Sequence, residues 1–184
     1  ESRVTVDGVP HEAGRPFLVI ATQNPIEQAG TYKLPEAQLD RFLIKTSIGY
    51  PDLNAAAEVL RGSATKNRAG DLQPVITTEA VADLTTLLST VHVDDALLYY
   101  VAQLAEETRN DPNTRLGVSV RGTIAMMRAA KVWAATEGRT YMVPDDIKAL
   151  AVRVWAHRLV LDPDAEFGGI TRESVIESVM QQIP

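Results

Sequence analysis

Cysteine is absent from this chain of 184 residues, and long apolar runs are absent with it. Without thiols, the chain forms no disulfide, thiolate nucleophile or cysteine-based zinc site, and it fits a reducing compartment, which we expect to be the cytoplasm. No apolar run approaches the roughly 18 residues of a transmembrane helix, so we expect no membrane insertion. The opening residues, ESRVTVDG, include neither an initiator Met nor a signal peptide. We therefore expect an excised part of a longer protein.

Basic charge is also scarce. The chain has 18 Lys and Arg against 24 Asp and Glu, for a net charge of −6. Binding to phosphate backbones requires clustered Lys and Arg, so we do not expect a nucleic acid partner. The three histidines, at positions 11, 92 and 157, are far apart in the sequence, and no metal site is expected. No G-x-x-x-x-G-K-[ST] loop occurs, so the chain lacks a phosphate cradle of its own.

The first 50 residues have the pattern of strands with short connections. Asp7-Gly8 stands between two runs with strand character and predicts a two-residue hairpin turn. The continuous apolar run at 17–21 predicts a strand that is covered on both faces. Pro35 suits the first turn of a short helix that reaches Arg41, and the run at 42–48 predicts another strand. This part therefore resembles a portion of an α/β sheet.

From residue 51 onward, apolar residues recur at helical spacing. Helices are predicted at 52–64, 77–90, from Asp94 to about 110, 119–136, 144–157 and 171–182. Asp94 has two interpretations, as the N-cap of its helix or as the end of a magnesium-binding strand. Polar residues interrupt the segment before it, which favours the cap. The predicted fold is thus an α/β fragment at 1–50 followed by an all-α domain at 51–184.

Residues 17–44, FLVIATQNPIEQAGTYKLPEAQLDRFLI, closely resemble one family, the MoxR family of AAA+ ATPases. In that family an apolar strand after Walker B ends in A-T-Q-N-P, and G-T-Y-x-L-P-E-A-Q-L-D-R-F follows. Further stretches resemble its upstream hairpin and its helical lid: RVTVDGV, YYVAQLAEETR, GVSVRG, RTYMVPDDIKALA and HRLVL. Lys33, Val120 and Gly122 depart from the usual family residues, which are Pro, Pro and Ala. The resemblance implies the last strands of a P-loop core at 1–50 and a lid at 51–184.

The resemblance also implies two catalytic residues. Asn24 corresponds to sensor 1, whose amide at a strand tip contacts the γ-phosphate or orients the attacking water. The alternative for Asn24 is a local turn before Pro25. Arg41 corresponds to the arginine finger, which acts in trans on the nucleotide of a neighbouring subunit. The alternative for Arg41 is a surface arginine paired with Asp40 or Glu36.

A third arginine, Arg121, corresponds to sensor 2, which binds an ATP phosphate from the lid. Ser119 is suited to cap the helix that carries it, and a helix N-terminus favours an anion nearby. The alternative is a solvated arginine near a loop. Arg158 follows His157 at the end of another predicted helix. It has two open interpretations, a contact with a neighbouring subunit or a bond to carbonyl groups at the helix end.

The implied activity is ATP hydrolysis that drives chaperone-like remodelling or maturation of protein complexes. The intact protein would use ATP and Mg²⁺, whereas this chain alone would bind neither tightly. The implied partners are other copies in a ring, typically a hexamer, and client complexes or proteins with von Willebrand factor A domains. Two alternatives remain at this point: a motor subunit of the magnesium-chelatase type, and a helical interaction module without enzymatic activity.

Overall fold

The computed structural model describes residues 3–23, 34–62, 70 and 72–183. By its contacts the chain divides into two compact units, one comprising Glu1–Val19 with Thr46–Leu84 and the other Ile20–Lys45 with Thr85–Pro184. The predicted division at residue 50 concerns the core and lid of the whole protein, and it stays a prediction.

The first unit contains a β-hairpin. Strands β1 (Arg3–Val6) and β2 (Val9–Glu12) pair antiparallel, with Val6 opposite Val9 beside the turn. Asp7 and Gly8 have φ of 50° and 80°, the left-handed conformation that a tight hairpin turn of this kind requires. The predicted turn is therefore confirmed. Helix α2 (Leu53–Gly62) follows in this unit, and α3 (Thr78–Ser89) begins in it.

The predicted strands at 17–21 and 42–48 are not formed. Residues 17–23 have no regular structure, and Leu18 and Ile20 are 78% and 81% exposed. Residues 44–50 are likewise irregular, and Ile48 is 99% exposed. A strand is held by hydrogen bonds to a neighbouring strand, and no described strand pairs with either run. An apolar pattern indicates that a segment favours a strand, but the strand forms only where another strand is present to pair with it.

The second unit is helical, and the fold class is confirmed. Its helices are α1 (Glu36–Leu39), the end of α3, α4 (Asp95–Asn110), α5 (Val120–Thr136), α6 (Pro144–Trp155), α7 (Pro163–Phe167) and α8 (Arg172–Gln182). A 3-10 turn, Ala156–Arg158, extends α6. The long helices lie within a residue or two of the predicted positions. Helix α7 and the strand pair β3 (Thr114–Leu116) and β4 (Val160–Leu161) were not predicted.

Two predicted helix caps are present. Asp94 accepts a hydrogen bond from Ala96 N at 2.8 Å, at the start of α4. Ser119 accepts one from Gly122 N at 3.1 Å, at the start of α5. Each side chain satisfies a backbone N–H that the helix leaves without a partner. The N-cap interpretation of Asp94 is thus confirmed.

The core of the second unit lies between α4, α5, α6 and α8. Its fully buried apolar side chains include Val101, Leu104, Met126, Ile147, Val154, Trp155, Ile176 and Val179. The buried face of α5 is made mainly of small residues, Gly122, Ala125, Ala129, Ala130 and Ala134. Small residues let helix axes approach closely. At the end of α6, Trp155 donates its indole N–H to the carbonyl oxygen of Gly122 at 3.0 Å. The start of α5 is thereby joined to the end of α6.

This packing predicts the effect of truncating Leu104, which is fully buried on α4. Leu104→Ala should lower the free energy of unfolding by about 2–5 kcal/mol, because burial is lost and a cavity is left. Leu98 lies on the same helix but is 45% exposed, and Leu98→Ala should cost less than about 1 kcal/mol. Urea unfolding followed by circular dichroism measures both. Equal losses would contradict the assigned core.

Candidate functional site

Asp40, Arg41 and Phe42 form a turn at the end of α1, called here the 40–42 turn. Arg41 N and Phe42 N donate to the carbonyl oxygens of Gln38 and Leu39, at 3.1 and 3.0 Å. The Arg41 side chain is exposed. Its guanidinium makes no hydrogen bond or ion pair with any other residue that the structure describes. Among the described residues nothing neutralises the positive charge of Arg41, which makes it a candidate contact for a ligand or a second chain.

Arg158 holds the 40–42 turn from the opposite side. Its side chain is 1% exposed. Nη1 donates to Asp40 Oδ1 at 2.7 Å and also bonds the Asp40 carbonyl oxygen, while Nη2 donates to the Phe42 carbonyl oxygen at 2.6 Å. Nε donates to the Val154 carbonyl oxygen at 2.8 Å. Of the two interpretations of Arg158, the structure supports the bond to helix-end carbonyls, and it adds bonds to both residues that flank Arg41.

The two acids offered as surface partners of Arg41 contact other arginines. Asp40 pairs with the buried Arg158, and Glu36 lies 3.8 Å from the exposed Arg115. Within the described residues, the surface-pair alternative for Arg41 thus has no ion pair to support it.

His157 adds a further contact to the same turn. Its Nε2 lies 3.0 Å from the Phe42 carbonyl oxygen. Because a carbonyl only accepts, Nε2 carries the hydrogen and donates it. Burial lowers the pKa of His157, and the charges of Arg158 and Lys45 lower it further, against the opposing effects of the Phe42 bond and Asp40. Its Nδ1 is buried without a hydrogen-bond partner among the described residues. His157 is therefore held as the neutral imidazole.

Ser119 connects the 40–42 turn to α5. While its oxygen caps α5, its hydroxyl lies 3.1 Å from both Asp40 Oδ1 and Asp40 Oδ2 and donates to that carboxylate. The neighbouring Val118 is fully buried. Its N–H donates to Thr108 Oγ1 at 2.9 Å, and its carbonyl oxygen accepts a hydrogen bond from Arg109 Nε at 2.9 Å. The first residues of α5 are therefore fixed from two sides.

Arg121 lies in the first turn of α5 and is exposed. No hydrogen bond or ion pair joins its guanidinium to another described residue. A positive charge at this end of a helix is unfavourable by itself, and an anion bound there would offset the repulsion. Both the charge of Arg121 and the positive end of the α5 helix dipole suit a phosphate.

Two of the three predicted site residues, Arg41 and Arg121, lie next to one hydrogen-bonded frame, formed by Asp40, Ser119 and Arg158, and their roles stay predictions. Arg41 lies inside the turn that Arg158 holds, and Arg121 lies two residues after Ser119, which bonds the same turn. Asn24 lies outside the described residues, and its role stays a prediction. The frame itself was not predicted, because Asp40 is 79 residues from Ser119 and 118 from Arg158. Only the adjacent His157 and Arg158 at a helix end hinted at it.

Neither a metal-binding cluster nor a membrane-spanning helix occurs in the described part of the chain. No group of three His, Asp or Glu side chains there is arranged to hold a metal ion. None of the helices described is long and apolar enough to cross a membrane.

Family models match both parts of the chain. The model of the ATPase family associated with various cellular activities (AAA) matches residues 1–44, and the AAA lid domain model matches residues 106–179. The uncharacterized protein YeaC of Bacillus subtilis is 43% identical over all of this chain and 57% of its own length. Chaperone MoxR1 of Mycobacterium tuberculosis is 36% identical over all of this chain and 50% of its own.

A solved structure shows the same fold. A crystal structure from Cytophaga hutchinsonii, provisionally named an ATPase, aligns with a TM-score of 0.88 and 32% identity, covering all of this chain and 58% of that one. Magnesium-chelatase subunits, such as the 38 kDa subunit of Acidiphilium rubrum at 30% identity, also match. The chain spans between half and three-fifths of the length of the first three of these proteins.

The buried His157 predicts a loss of stability in mild acid. Since its pKa is lower in the folded chain than the ordinary 6.5, the unfolded chain takes up a proton first as the pH falls below about 6.5. The free energy of unfolding should therefore fall in that range, by at most about 1.4 kcal/mol per pH unit. His157→Gln retains an N–H for Phe42 but does not titrate, and it should flatten this slope. Denaturant titrations from pH 7 to 5 measure the slope, and an unchanged slope would contradict the assignment.

Proposed function

Because this chain belongs to the MoxR family of AAA+ ATPases, we propose that the protein it forms part of hydrolyses ATP to drive chaperone-like remodelling or maturation of protein complexes. The name of the MoxR1 relative, a chaperone, supports this proposal. In it, residues 1–50 are the end of the nucleotide-binding core and residues 51–184 are the lid.

The observation that carries the proposal is the pair of exposed arginines on one frame. Arg41 and Arg121 present guanidinium groups that no described residue neutralises, while the nearby Asp40, Phe42 and Ser119 are partly buried and hydrogen-bonded. A guanidinium on a rigid support suits the charge that develops on a phosphoryl group during transfer. In the proposal, ATP with Mg²⁺ supplies that group, Arg121 contacts a phosphate as sensor 2, and Asn24 acts as sensor 1.

Arg41 is assigned to the nucleotide of a neighbouring copy, which requires a ring. We propose a hexamer, with client complexes or proteins bearing von Willebrand factor A domains as further partners. The support is the exposed position of Arg41 on a turn, where a second chain could reach it.

A second candidate is the motor subunit of a magnesium chelatase, since such subunits are also relatives. The sequences of residues 21–25, ATQNP, and of residues 30–42, GTYKLPEAQLDRF, favour the MoxR type.

A non-enzymatic helical module is the third candidate. The natural sequence before Glu1 distinguishes it, because an ATPase needs a G-x-x-x-x-G-K-[ST] loop and an apolar strand that ends in acidic residues. If both are lacking there, the ATPase proposal is wrong.

The role of Arg41 predicts a defect in rate rather than in binding. In the full-length protein, Arg41→Ala should lower kcat for ATP hydrolysis by about 10³–10⁵-fold, the usual contribution of an arginine finger. Nucleotide affinity should change little, because the finger acts on transition-state charge. Steady-state kinetics and a fluorescent ATP analogue measure the two quantities.

Mixed rings test whether Arg41 acts in trans. Arg41→Ala protein is mixed with a variant that lacks the upstream phosphate-loop lysine, so that some interfaces combine an intact site with an intact finger. Partial recovery of ATPase activity is expected. Should mixed rings form without any recovery, Arg41 acts within its own subunit or not at all.

The role of Arg121 predicts a defect in ATP affinity. Arg121→Ala should raise the Kd for ATP roughly tenfold or more, because a hydrogen bond to a charged group contributes about 1.5–3 kcal/mol. The Kd for ADP should rise less. Arg128 is also exposed and lies two turns further along α5, so Arg128→Ala is the matched control. Calorimetry that finds the two variants equal would reduce Arg121 to a surface residue.

A further inference from the structure

We propose that Arg158 is the positioning residue for the finger: it sets the location of Arg41 and ties it to the first turn of the helix that carries Arg121. The inference rests on the proposed ATPase function. In this inference Arg158 does not contact the nucleotide but acts through the backbone of the 40–42 turn.

The first support is the pattern of acceptors around the guanidinium. Arg158 donates to the carboxylate and carbonyl of Asp40 and to the carbonyl of Phe42, the residues directly before and after Arg41. Two carbonyl groups, those of the residues before and after Arg41, are therefore held by one planar guanidinium group. A lysine has a single nitrogen at the end of a flexible stem and would not hold this arrangement in the same way.

The second support is burial. The Arg158 side chain is 1% exposed and the Asp40 side chain 24%. A buried guanidinium needs its acceptors, since leaving them unpaired in a medium of low dielectric is costly. The 40–42 turn is therefore held in place, with Asp40 and Phe42 partly buried and the Arg41 side chain exposed to solvent.

The third support is the contact of Arg158 with the start of α5. A Cβ added to Gly122 would lie 3.0 Å from Arg158 Cδ and 2.8 Å from Val118 Cγ1. The glycine thus lets the first turn of α5 rest on the stem of Arg158. Beside it, Ser119 bonds the same Asp40 carboxylate, and Trp155 bonds the Gly122 carbonyl.

These contacts place Arg41 and Arg121 on one support, the end of α6. In the proposed ring, Arg121 serves the subunit's own nucleotide, whereas Arg41 serves the neighbour's.

The experiment uses the full-length ring with Arg158→Lys, which retains the positive charge but loses the pair of guanidinium nitrogens that bond Asp40 and Phe42. We expect kcat to fall roughly 10- to 100-fold, as for a catalytic group displaced by about 1 Å, with the Kd for ATP unchanged within about twofold. In an Arg41→Ala background, the same substitution should cause no further loss. Arg153→Lys is the matched control, because Arg153 is exposed on α6 and its side chain bonds only the Ala149 carbonyl of its own helix among described residues.

Mixing separates positioning from general damage. Arg158→Lys protein mixed with the phosphate-loop variant should regain activity, as Arg41→Ala does, because the defect lies in the finger offered to the neighbour. No recovery for Arg158→Lys, with recovery for Arg41→Ala, would overturn this inference alone. No recovery for either would overturn the finger assignment on which it rests.

A second variant covers a failure of Arg158→Lys to fold. Asp40→Asn keeps the size and one acceptor oxygen while removing the charge that Arg158 pairs with, and it should show the same trans defect at a smaller fold-change. Wild-type kcat in rings of the folded variants, or a further loss in the Arg41→Ala background, would overturn the proposal.

Discussion

The buried guanidinium of Arg158 is the group on which the rest of the candidate site depends. Removing a charge from water is costly unless acceptors surround it. Here they come from the Asp40 carboxylate and from carbonyls at positions 40, 42 and 154. Because those acceptors belong to two separate stretches of chain, satisfying one side chain fixes the end of α6 against the 40–42 turn. The position of Arg41 follows from that requirement.

The sequence predicted the helices and their caps because those features are determined locally. An Asp or Ser directly before a run at helical spacing can itself cap the helix that follows, and Asp94 and Ser119 both do so. The tight turn at Asp7-Gly8 is local in the same sense. The apolar run at 17–21 is different, because a strand exists only through its neighbours and none pairs with it among the described residues.

The candidate site likewise has a part that local sequence predicts and a part that depends on contacts between distant residues. Arg41 and Arg121 could be predicted as site residues because their motifs lie in short, continuous stretches. Their support was not found, since it joins residues 40, 119 and 158, which no local pattern relates. Residue type alone also leaves exposure undetermined: Arg41 and Arg158 are both arginines near acids, yet one is exposed and the other buried.

Because Gly122 has no side chain, its position affects how this region tolerates amino-acid substitutions. Gly122, Val118 and Arg158 occupy one tightly filled space, in which a single added methyl group would touch the other two. An alanine there requires the stem of Arg158 or the side chain of Val118 to shift, and a shift of Arg158 changes the geometry of its bonds to Asp40 and Phe42. We therefore expect the effects of substitutions at positions 40, 118, 119, 122 and 158 to depend on one another. Among relatives, we expect substitutions at these positions to occur together, with a replacement at one accompanied by a compensating replacement at another.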